Sequence, residues 1–327
     1  MNNIVHNDVC PPKIGVIAME RNEKQMRFFQ RAHFTQSELT HIREILRDNG
    51  TTLILPYDQF VEHDCRHLEA ESDAGNPDYI MELALDGKYN GVAVHYGVAK
   101  RYWSKYRGQI PLILKVNGKT SIPSAANALS VYTSRVEDAV RLGAIAVGYT
   151  MYYGSPAQDR DLPQLADVRR SCEQFGLPLI VWAYPRGSAI DEKGGADTSY
   201  ALESAARMAM EMGATVIKSN VPKPAKGEFT KNEKVPSYYR DLEVHFQELG
   251  KETAEIERTT RVVKAAQGIP VLFSGGSEIS DEDLLHKAQL AVNAGAIGFI
   301  FGRNMWKRPK GDAIKITKKL QDLLDRV

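Results

Sequence analysis

Cysteine is scarce. The chain holds three, Cys10, Cys65 and Cys172, far apart and odd in number, and no Cys-x-x-Cys pair occurs. Neither a disulfide framework nor a thiolate zinc site is signalled. Long apolar runs are missing as well. Nothing approaches the ~18 residues that a membrane helix needs, and the polar start from Met1 to Lys13 has no leader-like apolar core. Neither sign of charge is in excess: Lys and Arg total 42, Asp and Glu 41, a net charge of +1. That balance argues against a nucleic-acid binder with a broad basic face, while leaving room for a local phosphate pocket. No Gly-x-Gly-x-x-Gly follows the first apolar run, so the dinucleotide-binding fingerprint is absent. The expectation is a reduced, cytoplasmic protein without nucleic-acid or membrane partners.

Short apolar runs, by contrast, recur with a regular beat. They are Thr52–Leu55, Gly91–Val94, Pro111–Leu114, Ala144–Val147, Leu179–Trp182, Ala214–Ile217, Ile269–Phe273 and Ile297–Ile300. Near-continuous apolar strands are what a parallel sheet needs when helices cover its outer face. Helical stretches lie between them. Ser134-x-x-Glu137 reads as a capping box closed by Gly143, Ser280 precedes an acidic first turn, and Gly213, Gly268 and Gly295 stop their helices. Eight such repeats predict a (β/α)₈ barrel, which forms one unit at ~250 residues. Residues 51–327 are assigned to it.

Two stretches break the beat. Residues 1–50 form an N-terminal extension with an amphipathic helix over about 36–47, carrying Leu39, Ile42, Ile45 and Leu46. It either plugs the N-terminal face of the barrel or packs on a neighbouring subunit of a homo-oligomer. Residues 221–253 lengthen the loop after the sixth strand and carry Tyr238, Tyr239 and Phe246.

Active sites of such barrels lie at the C-terminal strand ends. The polar residues just past each run are Asp58, His95, Lys115 with Asn117, Tyr149, Tyr184 with Arg186, Lys218 with Asn220, Ser274-Gly275-Gly276, and Gly302-Arg303. Lys218 directly follows its run. A lysine there becomes a nucleophile if desolvation or a nearby cation lowers its pKa, and Lys115 is a candidate for that cation. The bland alternatives are an ion pair with Asp58 or a lysine reaching out to the rim. Asp58 and Tyr184 are candidate proton carriers, against a loop cap and a rim aromatic. The glycine pair after strand seven and Gly302-Arg303 after strand eight stand where these barrels often hold phosphate, or else mark two tight turns. His63, Cys65 and His67 lie close together but lack a fourth ligand and read as loop surface. Tyr102, Trp103 and Tyr106 read as packing.

These residues stand in longer strings: Pro56-Tyr57-Asp58-Gln59-Phe60-Val61-Glu62-His63, Leu114-Lys115-Val116-Asn117-Gly118-Lys119-Thr120, Val147-Gly148-Tyr149-Thr150, and Val181-Trp182-Ala183-Tyr184-Pro185-Arg186-Gly187. They continue as Ile217-Lys218, Ser274-Gly275-Gly276 and Gly302-Arg303-Asn304-Met305-Trp306. In this order the strings resemble the archaeal-type class I fructose-1,6-bisphosphate aldolases, and the N-terminal and 221–253 additions resemble their longer bacterial branch. The resemblance implies a Schiff base on Lys218, Tyr184 as acid/base, and Asp58 at the substrate hydroxyls. It implies one phosphate held by Ser274, Gly275, Gly276, Gly302 and Arg303 and the other near Arg186 and His63, with Trp182 and Lys115 lining the substrate pocket. No metal and no cofactor are implied, and the partners expected are small phosphorylated sugars of glycolysis and gluconeogenesis. A Schiff-base transferase of the same superfamily, of the aminodideoxyheptulosonate synthase kind, would use the same Lys218 and Tyr184. A catalytically silent sugar-phosphate binder would have no need of Lys218, Tyr184 and Asp58 together.

Overall fold

Eight parallel strands close on themselves in a computed structural model of the chain, which describes residues 34–62, 64–65, 73–276 and 278–326. They are β1 (Thr52–Tyr57), β2 (Gly91–His95), β3 (Leu112–Lys115), β4 (Ala146–Tyr153), β5 (Leu179–Pro185), β6 (Val216–Asn220), β7 (Val271–Ser274) and β8 (Gly298–Ile300). Each pairs with its sequence neighbours, and β1 closes the ring on β8 in the register Thr52 to Gly298. The expected (β/α)₈ barrel is the fold.

Because side chains alternate along a strand, each strand supplies two cores. Leu53, Val92, Leu112, Val147, Val181, Ile217, Phe273 and Phe299 point outward into the core shared with the surrounding helices. Ile54, Ala93, Ile113, Ala146, Ile180, Val216, Leu272 and Ile300 fill the barrel itself. The closure of β1 on β8 is tight. A Cβ added at Gly298 would stand 1.8 Å from the Thr52 carbonyl oxygen, so only glycine lets the two backbones approach this closely.

The N-terminal helix forms over Gln36–Glu44, with Thr35 and Glu38 in a reciprocal capping box. Its apolar stripe, Leu39 and Ile42, together with Ile45, joins the cluster inside the barrel. Of the two expected placements, the structure has the helix stopping the barrel from below.

Two local expectations are corrected. Ser134 is not an N-cap. The fourth-strand helix starts at Val136 after Arg135, whose N–H is taken by Asp138, while Ser134 donates to the Lys115 carbonyl. The segment 221–253 is more than a loop. It carries a helix, Ser237–Glu248, seated on the next helix, Lys251–Ala265, by buried Phe246 and a buried ion pair of Glu243 with Arg258 at 2.5 Å. Arg258 also lies 4.0 Å from the Phe246 ring centroid, so charge pairing and ring contact fix the helix together.

Candidate active site

The strand positions that fill the barrel continue, two residues at a time, into its mouth. Ile54 leads to Pro56 and Asp58, Ile180 to Trp182 and Tyr184, Val216 to Lys218 and Asn220, Leu272 to Ser274, and Ile300 to Gly302. The residues reached by these steps line one cavity of about 550 Å³ at the C-terminal strand ends. Tyr149 falls on the other parity. Its hydroxyl donates to Asp161 on the outer helix Gln158–Phe175, so it is absent from the mouth.

Lys218 is buried on β6, in register with Trp182 on β5. Its Nζ lies 4.7 Å from the Trp182 ring centroid and 5.6 Å from that of Tyr184. Burial pushes its pKa down to about 8, against the upward pull of Asp58 and Glu62, with Arg303 adding a smaller downward push. From the ordinary 10.5 this is worth about 3 kcal/mol in favour of the neutral amine. Roughly a tenth of the molecules at pH 7 therefore carry a nucleophilic lysine. Its burial sets the rim position aside, and Asp58 is the charge that bears on it most.

Lys115 plays a different part from the one expected. It is fully buried, and its Nζ donates to Glu62 (2.9 Å), Thr150 (2.8 Å) and the Asn117 carbonyl (2.9 Å). Those acceptors satisfy an ammonium group. Lys115 lies 5.2 Å from the same Trp182 ring but does not line the cavity, because Trp182 and Glu62 stand in front of it. The cation that bears on Lys218 is Arg303. Gly148 makes room for this stack: a Cβ there would meet the Trp182 ring at 2.7 Å and Lys115 at 3.0 Å. Among the described residues the buried Trp182 Nε1–H has no hydrogen-bond partner.

Two carboxylates with opposite tendencies flank the amines. Burial would raise Asp58, but Lys218, Lys115 and His95 together hold it below the usual range. Burial does raise Glu62, and the neighbouring Asp58 charge adds to this against the pull of Lys115. The two are linked through the short helix Gln59–Glu62, where the Glu62 N–H donates to the Asp58 carbonyl at 3.1 Å. Burial and Lys115 push His95 down to about 4, so it is neutral at physiological pH. Tyr184 is a phenol well above its ordinary range, because burial and the Asp58 charge disfavour the phenolate.

Anion-binding groups stand on either side of Lys218 round the ring. On one side are Ser274, Gly275, Gly276, Gly302 and Arg303. The Arg303 guanidinium donates to the Gly276 carbonyl at 2.8 Å, which ties the two loops together. A Cβ at Gly275 would meet the Asn304 side chain at 2.7 Å, so the bare backbone there packs directly against Asn304. On the other side are Arg186 and Lys119, close enough that Arg186 helps push the Lys119 pKa down beyond the effect of burial. His63 lies outside the described residues, as does His67.

Sequence reasoning passed over Glu62, Lys119, Tyr152 and Asp197, all on the cavity wall. Glu62 was legible: four residues after Asp58, it shares a helical face with it. Tyr152 lies in register with Tyr184 across β4 and β5. Lys119 and Asp197 sit in irregular segments, where no period points to the cavity.

The comparisons agree with this geometry. The model for DeoC/LacD family aldolases matches residues 52–308. A class 1 fructose-bisphosphate aldolase of Thermoproteus tenax is 36% identical over 282 residues, 86% of this chain and 92% of its own. A probable class 1 fructose-bisphosphate aldolase of Chlamydia muridarum is 28% identical, over 85% of this chain and 80% of its own. A solved archaeal fructose-1,6-bisphosphate aldolase, its catalytic Lys covalently bound to the carbinolamine intermediate of the substrate, aligns with a TM-score of 0.71. It is 32% identical, over 88% of this chain and 98% of that one.

Proposed function

This chain belongs to the DeoC/LacD family of aldolases, and on that footing we propose that it is a class I fructose-bisphosphate aldolase. It would cleave fructose 1,6-bisphosphate reversibly to dihydroxyacetone phosphate and glyceraldehyde 3-phosphate. The observation that carries this reading is a desolvated lysine, Lys218, flanked in one cavity by Arg303 with the glycine loops on one side and by Arg186 with Lys119 on the other. A substrate with an electrophilic carbonyl between two phosphates matches that layout.

The chemistry follows from the neighbours of Lys218. The neutral amine adds to the ketose carbonyl and gives a carbinolamine, whose hydroxyl leaves as water once protonated. Tyr184, a phenol beside the amine, supplies that proton. The phenolate so formed takes the proton of the C4 hydroxyl as the C3–C4 bond breaks, and the iminium accepts the bonding pair as an enamine. One proton thus cycles through Tyr184. Asp58, held as a carboxylate, orients the hydroxyls at the breaking bond and balances the iminium charge. Trp182 offers a ring face to the cation.

We also read the protein as cytoplasmic, acting on glycolytic and gluconeogenic sugar phosphates as a homo-oligomer. In support, no described helix is long and apolar enough to cross a membrane, and the described cysteines are free. Light scattering on the purified protein tests the assembly. The activity is tested by a coupled assay with fructose 1,6-bisphosphate, together with borohydride trapping and peptide mass spectrometry. The reduced adduct is expected on the peptide containing Lys218. No turnover, or an adduct at Lys115, would refute the proposal.

A further inference from the structure

The segments that follow β7 and β8 lie between two hollows. In front is the cavity that holds Lys218. Behind is a smaller one of about 360 Å³, walled by Glu278, Asp281, Lys307 and Arg308. Arg303 and Asn304 line both. A backbone with space on two sides gains little from packing, so its course depends on its polar bonds. Arg303 donates to the Gly276 carbonyl at 2.8 Å, and the Ile279 N–H donates to Asn304 Oδ1 at 3.0 Å. Lys307 pairs with Glu278 at 2.5 Å, and Arg308 pairs with Asp281. Both of those acids are well exposed, and exposed pairs contribute little. Asn304, by contrast, is only 2% exposed. Its own carbonyl is held by Arg308 Nε at 2.5 Å, within the helical turn Arg303–Trp306 and the residues just after it.

We propose that Asn304 is a positioning residue of the phosphate site: its amide oxygen holds the turn after β7, and its amide nitrogen faces the phosphate side. The inference rests on the aldolase reading above. A backbone N–H only donates, so the end of Asn304 that meets Ile279 must be the oxygen. The nitrogen is then the end against Gly275, where an added Cβ would stand 2.7 Å from it. Gly275 and Gly276 both line the cavity. Gly276 has a φ of +68°, a conformation that glycine adopts without strain. Asn304 therefore serves a bound phosphate twice. It fixes the turn whose glycine backbone borders the anion. It also keeps the positive end of an amide dipole, and no negative charge, on that side. Asn304 acts at this turn and leaves Lys218 untouched, so its loss weakens capture of the substrate and spares the Schiff-base chemistry.

Two substitutions separate the two ends of the amide. Asn304→Ala removes both, so the Ile279 N–H loses its acceptor and the turn is freed. Asn304→Asp keeps an acceptor of the same size for Ile279. It sets a carboxylate oxygen against Gly275, at the edge of the anion site. A side chain that only anchors the turn would tolerate this second change. One whose nitrogen faces phosphate would not, because like charges repel.

The test separates capture from chemistry. Wild type, Asn304→Ala, Asn304→Asp and Arg303→Ala are compared for steady-state cleavage of fructose 1,6-bisphosphate. The fraction of Lys218 trapped by borohydride at saturating substrate is measured in parallel. KM is expected to rise about tenfold in Asn304→Ala and at least as much in Asn304→Asp, with kcat within about twofold of wild type, the scale for loss of one buried hydrogen-bonding partner. The trapped fraction is expected to stay at the wild-type level in both. A role confined to supporting the barrel would lower kcat and the trapped fraction together and leave KM in place, and that result overturns the inference. A wild-type KM in either Asn304 variant, with KM raised in Arg303→Ala, refutes the inference alone. Asn304→Asp decides the matter if Asn304→Ala does not fold, because it keeps the Ile279 bond. A wild-type KM in Arg303→Ala refutes the phosphate site and the inference that rests on it. A wild type without turnover refutes the activity reading and this inference with it.

Discussion

Lys218 and Trp182 face each other in register across β5 and β6, the ammonium nitrogen 4.7 Å from the indole centroid. The ring helps strip water from the amine, and desolvation is the largest influence on it. Contact with the π face favours the cation, yet the net displacement is downward. Burial therefore outweighs both the ring and the Asp58 and Glu62 charges. The pair brings the lysine's pKa close to neutral pH and holds the side chain against the ring.

That balance sets the pH response. A group lowered to about 8 is protonated and inert well below that value and free to attack above it. kcat/KM for the bisphosphate is expected to climb about tenfold per unit between about pH 6 and 7.5 and to level off above about 8. A profile flat from pH 6 to 9 would show that Lys218 attack does not limit the reaction.

Tyr184→Phe removes one oxygen from a wall already formed by Trp182 and Tyr152. The fold should persist, with an unchanged melting temperature, while kcat falls by roughly 10²–10⁴-fold, the usual contribution of a placed acid/base group. Near-normal turnover would return Tyr184 to a rim aromatic.

Arg303→Ala removes the guanidinium that ties Gly302 to the Gly276 carbonyl. Binding of the bisphosphate should weaken by ~1.5–3 kcal/mol, as for loss of one charged hydrogen-bonding partner. Fructose 1-phosphate and fructose 6-phosphate should respond unequally, since only one presents a phosphate to this loop pair. Equal losses for all three would mean that Arg303 supports the loops and reads no phosphate.

Gly298→Ala tests the closure of the barrel. Its Cβ would stand 1.8 Å from the Thr52 carbonyl oxygen, so β1 and β8 must separate. We expect a loss of at least about 2–3 kcal/mol in unfolding free energy, read from urea denaturation. A variant as stable as wild type would show that the seam has slack.

Much of this site could be counted out along the sequence. Stepping by two from Ile54, Ile180, Val216, Leu272 and Ile300, which fill the barrel, leads to Asp58, Tyr184, Lys218, Ser274 and Gly302. The same step excludes Tyr149, which simple position after an apolar run had admitted. Lys115 passes the parity test and still misses the cavity, because side-chain volume decides the outcome: Trp182 occupies the hollow that Gly148 leaves. Ser134 against Arg135 as helix start is a one-residue difference settled by which acid reaches back, Asp138 rather than Glu137. Asp197 lies 23 residues from the Asn220 it bonds, outside any strand, and only the folded chain brings them together.

The helix Gln36–Glu44 has one more consequence. With Leu39, Ile42 and Ile45 packed among the interior side chains, the barrel is a vessel with a floor. The cavity lies at the opposite, C-terminal end of the strands. On the proposed Schiff-base course one fragment stays tethered to Lys218 after cleavage, so the free aldehyde leaves first, and a new aldehyde enters through the space it vacates. Departure on that course is sequential, and free aldehyde in excess would slow the release of the ketone behind it.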